Sequence, residues 1–337
     1  MSEKKNATIK DVAKSAGVSI SSVSRYLADS QSIRPLAAYN IKKAIRELKF
    51  EPNAFARNLK KRHSDGIGII VPFTDFFFGK FCAAVSDFFY ERKFGAFICE
   101  SDNDPDKERF YVQALLNLHV AGLLIAPTGH NSEFLREIVD RHRNIVVVDR
   151  REDIGCEMVA MDFEKNAFIL TRHVLATYPC DRVLLLMGGQ GAHMRDALKG
   201  IKHAFREKRA SFAKVKLVYD CFRFVNVSEA VREFAGGIRD GERPVIMALG
   251  SSIMEDTITV LNQCGDGMPR RVDIAGFAMR NIIAKLGFHF PCVMQNPDKV
   301  GTTASELLFG KIADVKGKRK RKNGMFYEIE PEIRLEK

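Results

Sequence analysis

The 337-residue chain has no apolar run of the ~18–20 residues that a membrane span needs. Its opening stretch MSEKKNATIK lacks the apolar segment of a secretory signal. No membrane association is therefore expected, and the chain reads as cytoplasmic. Seven cysteines, at 82, 99, 156, 180, 221, 264 and 292, form no C-x-x-C pair. That excludes the usual signatures of a zinc site or a disulfide framework and leaves reduced, mostly buried thiols. No nucleophile–base pairing, metal cluster or cofactor fingerprint stands out. The run Met187–Gly191, MGGQG, lies between a strand-like and a helical stretch but lacks a Walker lysine and the G-x-G-x-x-G spacing. No metal, no cofactor and no enzymatic activity are expected.

What is present is a basic segment joined to a near-neutral body. Apolar residues make up 46% and charged residues 28%, enough for sizeable cores, and the length suits two or three domains. The formal net charge is +11, yet Met1–His63 holds 14 Lys and Arg against 5 Asp and Glu, a net +9. A basic segment of this kind is the electrostatic footprint of nucleic-acid binding. A merely solvated basic tail would not also carry a helical apolar pattern.

That pattern begins at Thr8, which opens a T-x-x-D box with Asp11. Ile9, Val12, Ala13 and Ala16 fall on one helical face. Gly17 ends the helix with a sharp turn, and Ser19 can cap a second helix from Ile20 to about Leu27, with Val23 and Leu27 inward. After ADSQSIR, Pro35 suits the first turn of a third helix, striped by Ile41, Ala44, Ile45 and Leu48. Helix, tight turn, helix, loop, helix is a helix-turn-helix headpiece. The outward positions of its second helix, Ile20, Ser21, Ser22, Ser24 and Arg25, carry short hydrogen-bonding groups and one cation. Arginine can bridge guanine O6 and N7, serine can reach phosphate or a base edge, and Ile20 can touch a thymine methyl.

The stretch TIKDVAKSAGVSISSVSRYL closely resembles the opening of the lactose/galactose-repressor (LacI/GalR) family, T-x-x-D-V-A-x-x-A-G-V-S-x-x-T-V-S-R-x-L. FEPNAFARNLKKRHSDGIGIIVP is similar to the family's Y-x-P-N-x-x-A-R-x-L hinge and first core strand, and weaker matches recur over most of the chain. The resemblance implies a hinge helix, Ala54 to Leu59, that orders on operator DNA beside its dimer mate. Asn53 and Arg57 belong to that motif. Leu59 would wedge between base pairs and Ala56 would permit close approach; without the family, Leu59 reads as an ordinary buried leucine. Unstacking a step costs a few kcal/mol, offset by contacts to the bent duplex. Ala28 stands where the family has Asn, and Ala37–Ala38 where it has T-R; Arg34 can compensate as a phosphate contact.

From Gly66 onward strand-like runs alternate with helical ones: GIGIIVP, GAFICES, GLLIAP and NIVVVDR, then MVAMD, RVLLLMG, VKLVYD, PVIMALG and VDIAGF. Such alternation predicts parallel sheets with helices on both faces, as two Rossmann-like subdomains with a ligand crevice at the carboxyl ends of the strands. The resemblance implies a periplasmic-binding-protein-like body with crossovers near 162, 291 and 323. The expected division is headpiece 1–50, hinge and linker 51–63, and body 64–337. Within the body the first subdomain would take about 66–162 and 292–322, the second about 163–291 and 323–337.

Phe73 and Asp75 in PFTDFFFG would face the crevice; Phe77 and Phe78 read more readily as core. Asp149 and Asp162 sit at strand ends, where each can meet a ligand, cap the next helix or pair with Arg150. Gln295 in CVMQNP matches the family's V-x-Q at a crossover. LMGGQGAHMRDALKGI looks closest to the sucrose- and fructose-responsive branch. Yet Ala197 stands where the family's effector-gripping arginine belongs, with Arg195 two residues earlier. Gly250–Ser251 replaces an N-D pair, and Ala278 replaces an aspartate. A sugar site without such groups cannot replace the water it removes. KGKRKRKNG, Lys316 to Gly324, reads as a solvated loop before a second nucleic-acid patch.

The expected function is a sequence-specific transcriptional regulator, a repressor in kind, binding double-stranded operator DNA at the nucleoid. It would act as a homodimer, with a tetramer left open although no tetramerising leucine heptad is visible. Its crevice would take a small-molecule effector, a carbohydrate or other metabolite. The alternatives are the same fold with a cleft that no longer binds sugar, controlled by a protein partner or constitutive, and, from other classes, a solute-binding protein or a sugar-active enzyme.

Overall fold

A computed structural model describes residues 7–50, 65–265, 271–279, 290–314 and 324–335. The chain divides into two compact units, Met1–Ser64 and Asp65–Lys337.

Among the described residues the first unit has three helices, α1 (Ile9–Ala16), α2 (Ile20–Ala28) and α3 (Pro35–Glu47), with a short 3-10 turn at Ser30–Ser32. Local chemistry sets each boundary. The Thr8 amide and hydroxyl both donate to Asp11 Oδ2, at 2.8 and 2.6 Å, and the Asp11 amide donates back to Thr8 Oγ1, closing a capping box. Gly17 ends α1 at φ 65°, the left-handed region that glycine enters without a Cβ penalty. Val12, Val23 and Ile41 are fully buried and meet Ala13, Ala16, Ala44 and Phe50 in one small core.

The second unit holds two six-stranded sheets. Its first five strands are β1 (Gly66–Val71), β2 (Gly95–Glu100), β3 (Gly122–Ile125), β4 (Ile145–Val148) and β5 (Glu157–Ala160). The next five are β6 (Val183–Met187), β7 (Val215–Val218), β8 (Val245–Leu249), β9 (Asp273–Ala278) and β10 (Cys292–Met294). Two short strands, β11 (Phe326–Glu328) and β12 (Glu332–Arg334), complete them. The orders are β11-β5-β4-β3-β1-β2 and β12-β10-β9-β8-β6-β7. All pairings are parallel except β10 with β12. Every residue of β1 and β6 is buried, as expected of parallel strands covered on both faces.

The helices between them are α4 (Phe76–Tyr90), α5 (Pro105–Asn117), α6 (Ser132–Arg141), α7 (Phe163–Thr177), α8 (Ala192–Glu207), α9 (Phe224–Gly236), α10 (Ser251–Gln263) and α11 (Pro297–Ala313). Helices α7 and α8 approach closely at Gly200, where a Cβ would stand 2.1 Å from the Glu164 carbonyl oxygen. Five of the seven free cysteines are buried. No helix among the described residues is long and apolar enough to cross a membrane.

Two of the three expected crossovers fall a few residues later. Cys292–Met294 still pairs with β9 in the second sheet, so the chain returns to the first subdomain after Met294, not near 291. There α11 buries Val300, Ala304 and Leu308 in the first core. Phe326–Tyr327–Glu328 pairs with Met158–Ala160 at the edge of the first sheet, so the last passage lies between Glu328 and Glu332, not near 323.

Candidate functional site

On the headpiece, α2 presents Ile20 at 41% exposure with Ser21 and Arg25 exposed and Ser24 half-buried beside them. None of these side chains is needed by the small core. Ser19 and Ser22 are engaged differently: Ser19 Oγ accepts from the Ser22 amide at 3.2 Å and lies within hydrogen-bond distance of the Ser21 and Ser22 hydroxyls. Ser19 is thus first a cap, which fixes the helix that carries Arg25. Arg34 is exposed immediately before α3, whose start has no side-chain cap. The hinge positions Asn53, Ala56, Arg57 and Leu59 lie outside the described residues, as does most of the basic run from Lys316.

In the body, the carboxyl ends of both sheets converge on a cavity of about 220 Å³. The first sheet contributes Phe73 and Asp75 after β1, Asn103 after β2, Thr128 and His130 after β3, and Asp149 and Arg150 after β4. The second contributes Gly188–Gly191 and His193 after β6, Asp220 and Phe222 after β7, Gly250–Ile253 after β8, Phe277 on β9 and Gln295 after β10. This is the strand-end crevice of doubly wound sheets.

Arg150 organises the first wall. Its Nη1 donates to Asn103 Oδ1 at 2.5 Å and to the Pro127 carbonyl at 3.3 Å. Behind it the buried Glu108 accepts from the Thr128 amide and hydroxyl, at 2.6 and 3.0 Å, and from Asn131 Nδ2 at 2.9 Å, which fixes the loop bearing Thr128. Ser132 and Glu152 close the same network. Asp149 holds a left-handed backbone, φ 59°, and burial pushes its carboxyl up to about 6. Burial likewise raises Asp75, whose Oδ1 accepts from the Phe78 amide at 2.8 Å and starts α4. His193 is held well below its ordinary value by burial and by the charges of Arg150 and Arg195; it stands edge-on to Phe163.

Phe73, Asp75, Asp149 and Gln295 are therefore brought together as expected. Phe77 and Phe78 belong both to the first core and to the cavity wall. Two expected residues do not join them. Asp162 caps α7, accepting from the Lys165 amide at 2.9 Å. Arg195 turns back to donate to the Gln190 carbonyl at 2.6 Å. Neither is among the lining residues. Asn103, Thr128, His130, Arg150, His193, Asp220 and Phe222 were missed, although most follow directly on a strand end.

Residues 8–53 match the family model described as "Bacterial regulatory proteins, lacI family". Over nearly its whole length the chain is 24% identical to the HTH-type transcriptional repressor PurR of Aliivibrio fischeri (strain MJ11), covering 97% of this chain and 96% of that one. It is 28% identical to the HTH-type transcriptional regulator KdgR of Bacillus subtilis (strain 168), covering 93% of each. Residues 8–53 thus match a lacI-family segment, and the chain is similar over nearly its whole length to regulators that carry one. Its fold is that of the crystal structure of a LacI-family transcriptional regulator from Silicibacter pomeroyi, with a TM-score of 0.76 at 17% identity over 98% of each chain.

The positions where the resemblance leads one to expect polar anchors lie unevenly in the structure. Ala197 is fully buried on the core face of α8, and Ala278 is fully buried at the end of β9. Gly250 and Ser251 remain at the cavity, at the start of α10. The first sheet contributes Asp75, Asp149 and Arg150 to the cavity lining.

Proposed function

We propose that this LacI-family regulator is a cytoplasmic, nucleoid-associated repressor that binds a palindromic operator as a dimer and is modulated by a small molecule in the cleft. The observation that carries the reading is the surface of α2. Its one exposed arginine and neighbouring Ile20 and Ser24 are free of structural duties, with Ser21 beside the capping Ser19, on a helix pinned by Ser19 and by Val23 in the core. The +9 charge of Met1–His63 supplies attraction to the phosphate backbone.

The dimer reading draws on β2, a sheet edge with Phe97 at 46% and Ile98 at 49% exposure. The helices on either side in sequence carry exposed Tyr90 and Phe110. An apolar unpaired edge of this kind invites association, and a second copy would cover it. Two headpieces would then lie in successive major grooves, with a paired hinge through Leu59 between them. An effector that binds one cleft conformation more tightly than the other shifts DNA affinity by that difference.

Binding of the full-length chain to fragments of its own upstream region, titrated with salt, tests the reading. Affinity should fall steeply as salt rises, at one fragment well above the rest. Equal, weak binding to every fragment would refute it.

A further inference from the structure

The charges facing the cleft are unequal. Asp75, Asp149 and Asp220 line it against a single guanidinium, Arg150, and no lysine is among its described lining residues. Arg150 is partly committed within the wall. Its Nη1 is committed to Asn103 and the Pro127 carbonyl, and Asp149, Glu108, Asp75 and Glu152 all bear on its charge. Four carboxylates thus bear on the charge of one cation at the first wall, and Asp220 adds another from the opposite side.

Asp149 is the least satisfied of those on the first wall. Its Oδ1 receives one long hydrogen bond, 3.4 Å, from Gln295 Nε2. Its other oxygen has no protein partner among the described residues, although the residue lines the cavity. Withdrawing such a group from water as the cleft closes is costly unless the ligand brings a donor with a compensating charge. The aromatic rings of Phe163 and Phe222 on the same cavity add faces that favour a cation over an anion.

We propose that the ligand of this cleft carries a protonated amine, seated against the Asp149 carboxylate with Asp75 beside it and its ring or apolar part against Phe163 and Phe222. On the far wall, the hydroxyls of Ser251 and Ser252 at the start of α10 suit the ligand's remaining polar groups. The same imbalance disfavours a phosphorylated ligand, which would meet surplus carboxylate. This assignment rests on the reading of the cleft as the effector site.

The test uses the full-length chain and probes that share a ring and differ in charge: glucosamine, glucose and glucose 6-phosphate, then tyramine, tyrosol and 4-hydroxyphenylacetate. Calorimetry should find the amine of at least one set binding about tenfold more tightly than its neutral and anionic partners. Asp149→Asn should remove that preference while the variant still melts cooperatively. Preference for a neutral or anionic member, or no amine binding at about 10 mM, overturns the assignment. A neutral or anionic probe that binds and is weakened by Asp149→Asn would leave the effector cleft standing without the amine. Silence from every probe, together with a DNA affinity unmoved by a metabolite extract, would remove the effector reading as well.

Discussion

Gln295 Nε2 donates to Asp149 Oδ1 at 3.4 Å, joining the end of β10 in the second sheet to the end of β4 in the first, 146 positions apart in sequence. The bond spans the cleft, so it forms only while the two sheets keep their present separation. It is also long for an amide–carboxylate contact. The carboxylate that receives it is consequently under-stabilised, and burial raises it to about 6.

That shift has a consequence for stability. An acid whose folded-state value lies above its ordinary 3.8 withholds stability when ionised: the penalty is full above about pH 6 and fades as pH falls toward 3.8. Asp149→Asn keeps the acceptor for Gln295 and removes the charge. At about pH 7.5 the variant should melt about 2–4 °C higher, as expected for roughly 1 kcal/mol, and the gain should shrink as pH drops through 6. Thermal melts of both proteins across this range check it; a variant less stable at neutral pH would show that Arg150 already neutralises the carboxylate.

Gly200→Ala should destabilise the body. The added methyl would stand 2.1 Å from the Glu164 carbonyl oxygen and 3.0 Å from the Phe168 amide nitrogen, and backbone of a packed helix cannot move aside as a side chain can. Overpacking of this kind costs about 1–3 kcal/mol. Urea unfolding followed by circular dichroism should show a lowered midpoint with unchanged slope; an unchanged midpoint would mean that α7 and α8 slide apart freely.

Ile98→Lys should separate the proposed dimer. Ile98 is exposed on the edge strand β2 and is absent from the buried cores, so the substitution spares folding while placing a charge where edges are blunted against association. Sedimentation should give a dimer for the parent and a monomer for the variant, with weaker binding to a two-fold symmetric site. A variant that remains dimeric would assign the interface to another surface.

Legibility followed the locality of the cause. The headpiece boundaries rest on contacts within a few residues, Thr8 with Asp11 and Ser19 with Ser22, and on Gly17 and Pro35, so they could be read directly. The buried parallel strands announce themselves as unbroken apolar runs such as GIGIIV and VLLLM. FYE and EIR could not be read: three residues have no periodicity, and β11 and β12 exist only through their partners β5 and β10.

The cleft was half legible for the same reason. Asp149 and Gln295 directly follow strands and line the crevice, and Asp75 lines it from the N-cap of α4. Asp162 likewise caps a helix, through the Lys165 amide, but does not line the crevice. Arg150 was read only as a partner for its neighbours. Its place in the wall depends on Asn103 and Pro127, 47 and 23 positions away, which no local pattern reveals.

The most direct test is selection of bound duplexes from a randomised pool by the full-length chain, run beside Arg25→Ala. Arg25 is exposed and the headpiece core does not include it, so the variant should fold normally. The parent should enrich a two-fold symmetric sequence, and the variant should bind that sequence more weakly by about 1–3 kcal/mol, the worth of a bidentate arginine–guanine contact. A pool that stays random, or an enriched site that the variant binds equally well, would contradict base reading by α2.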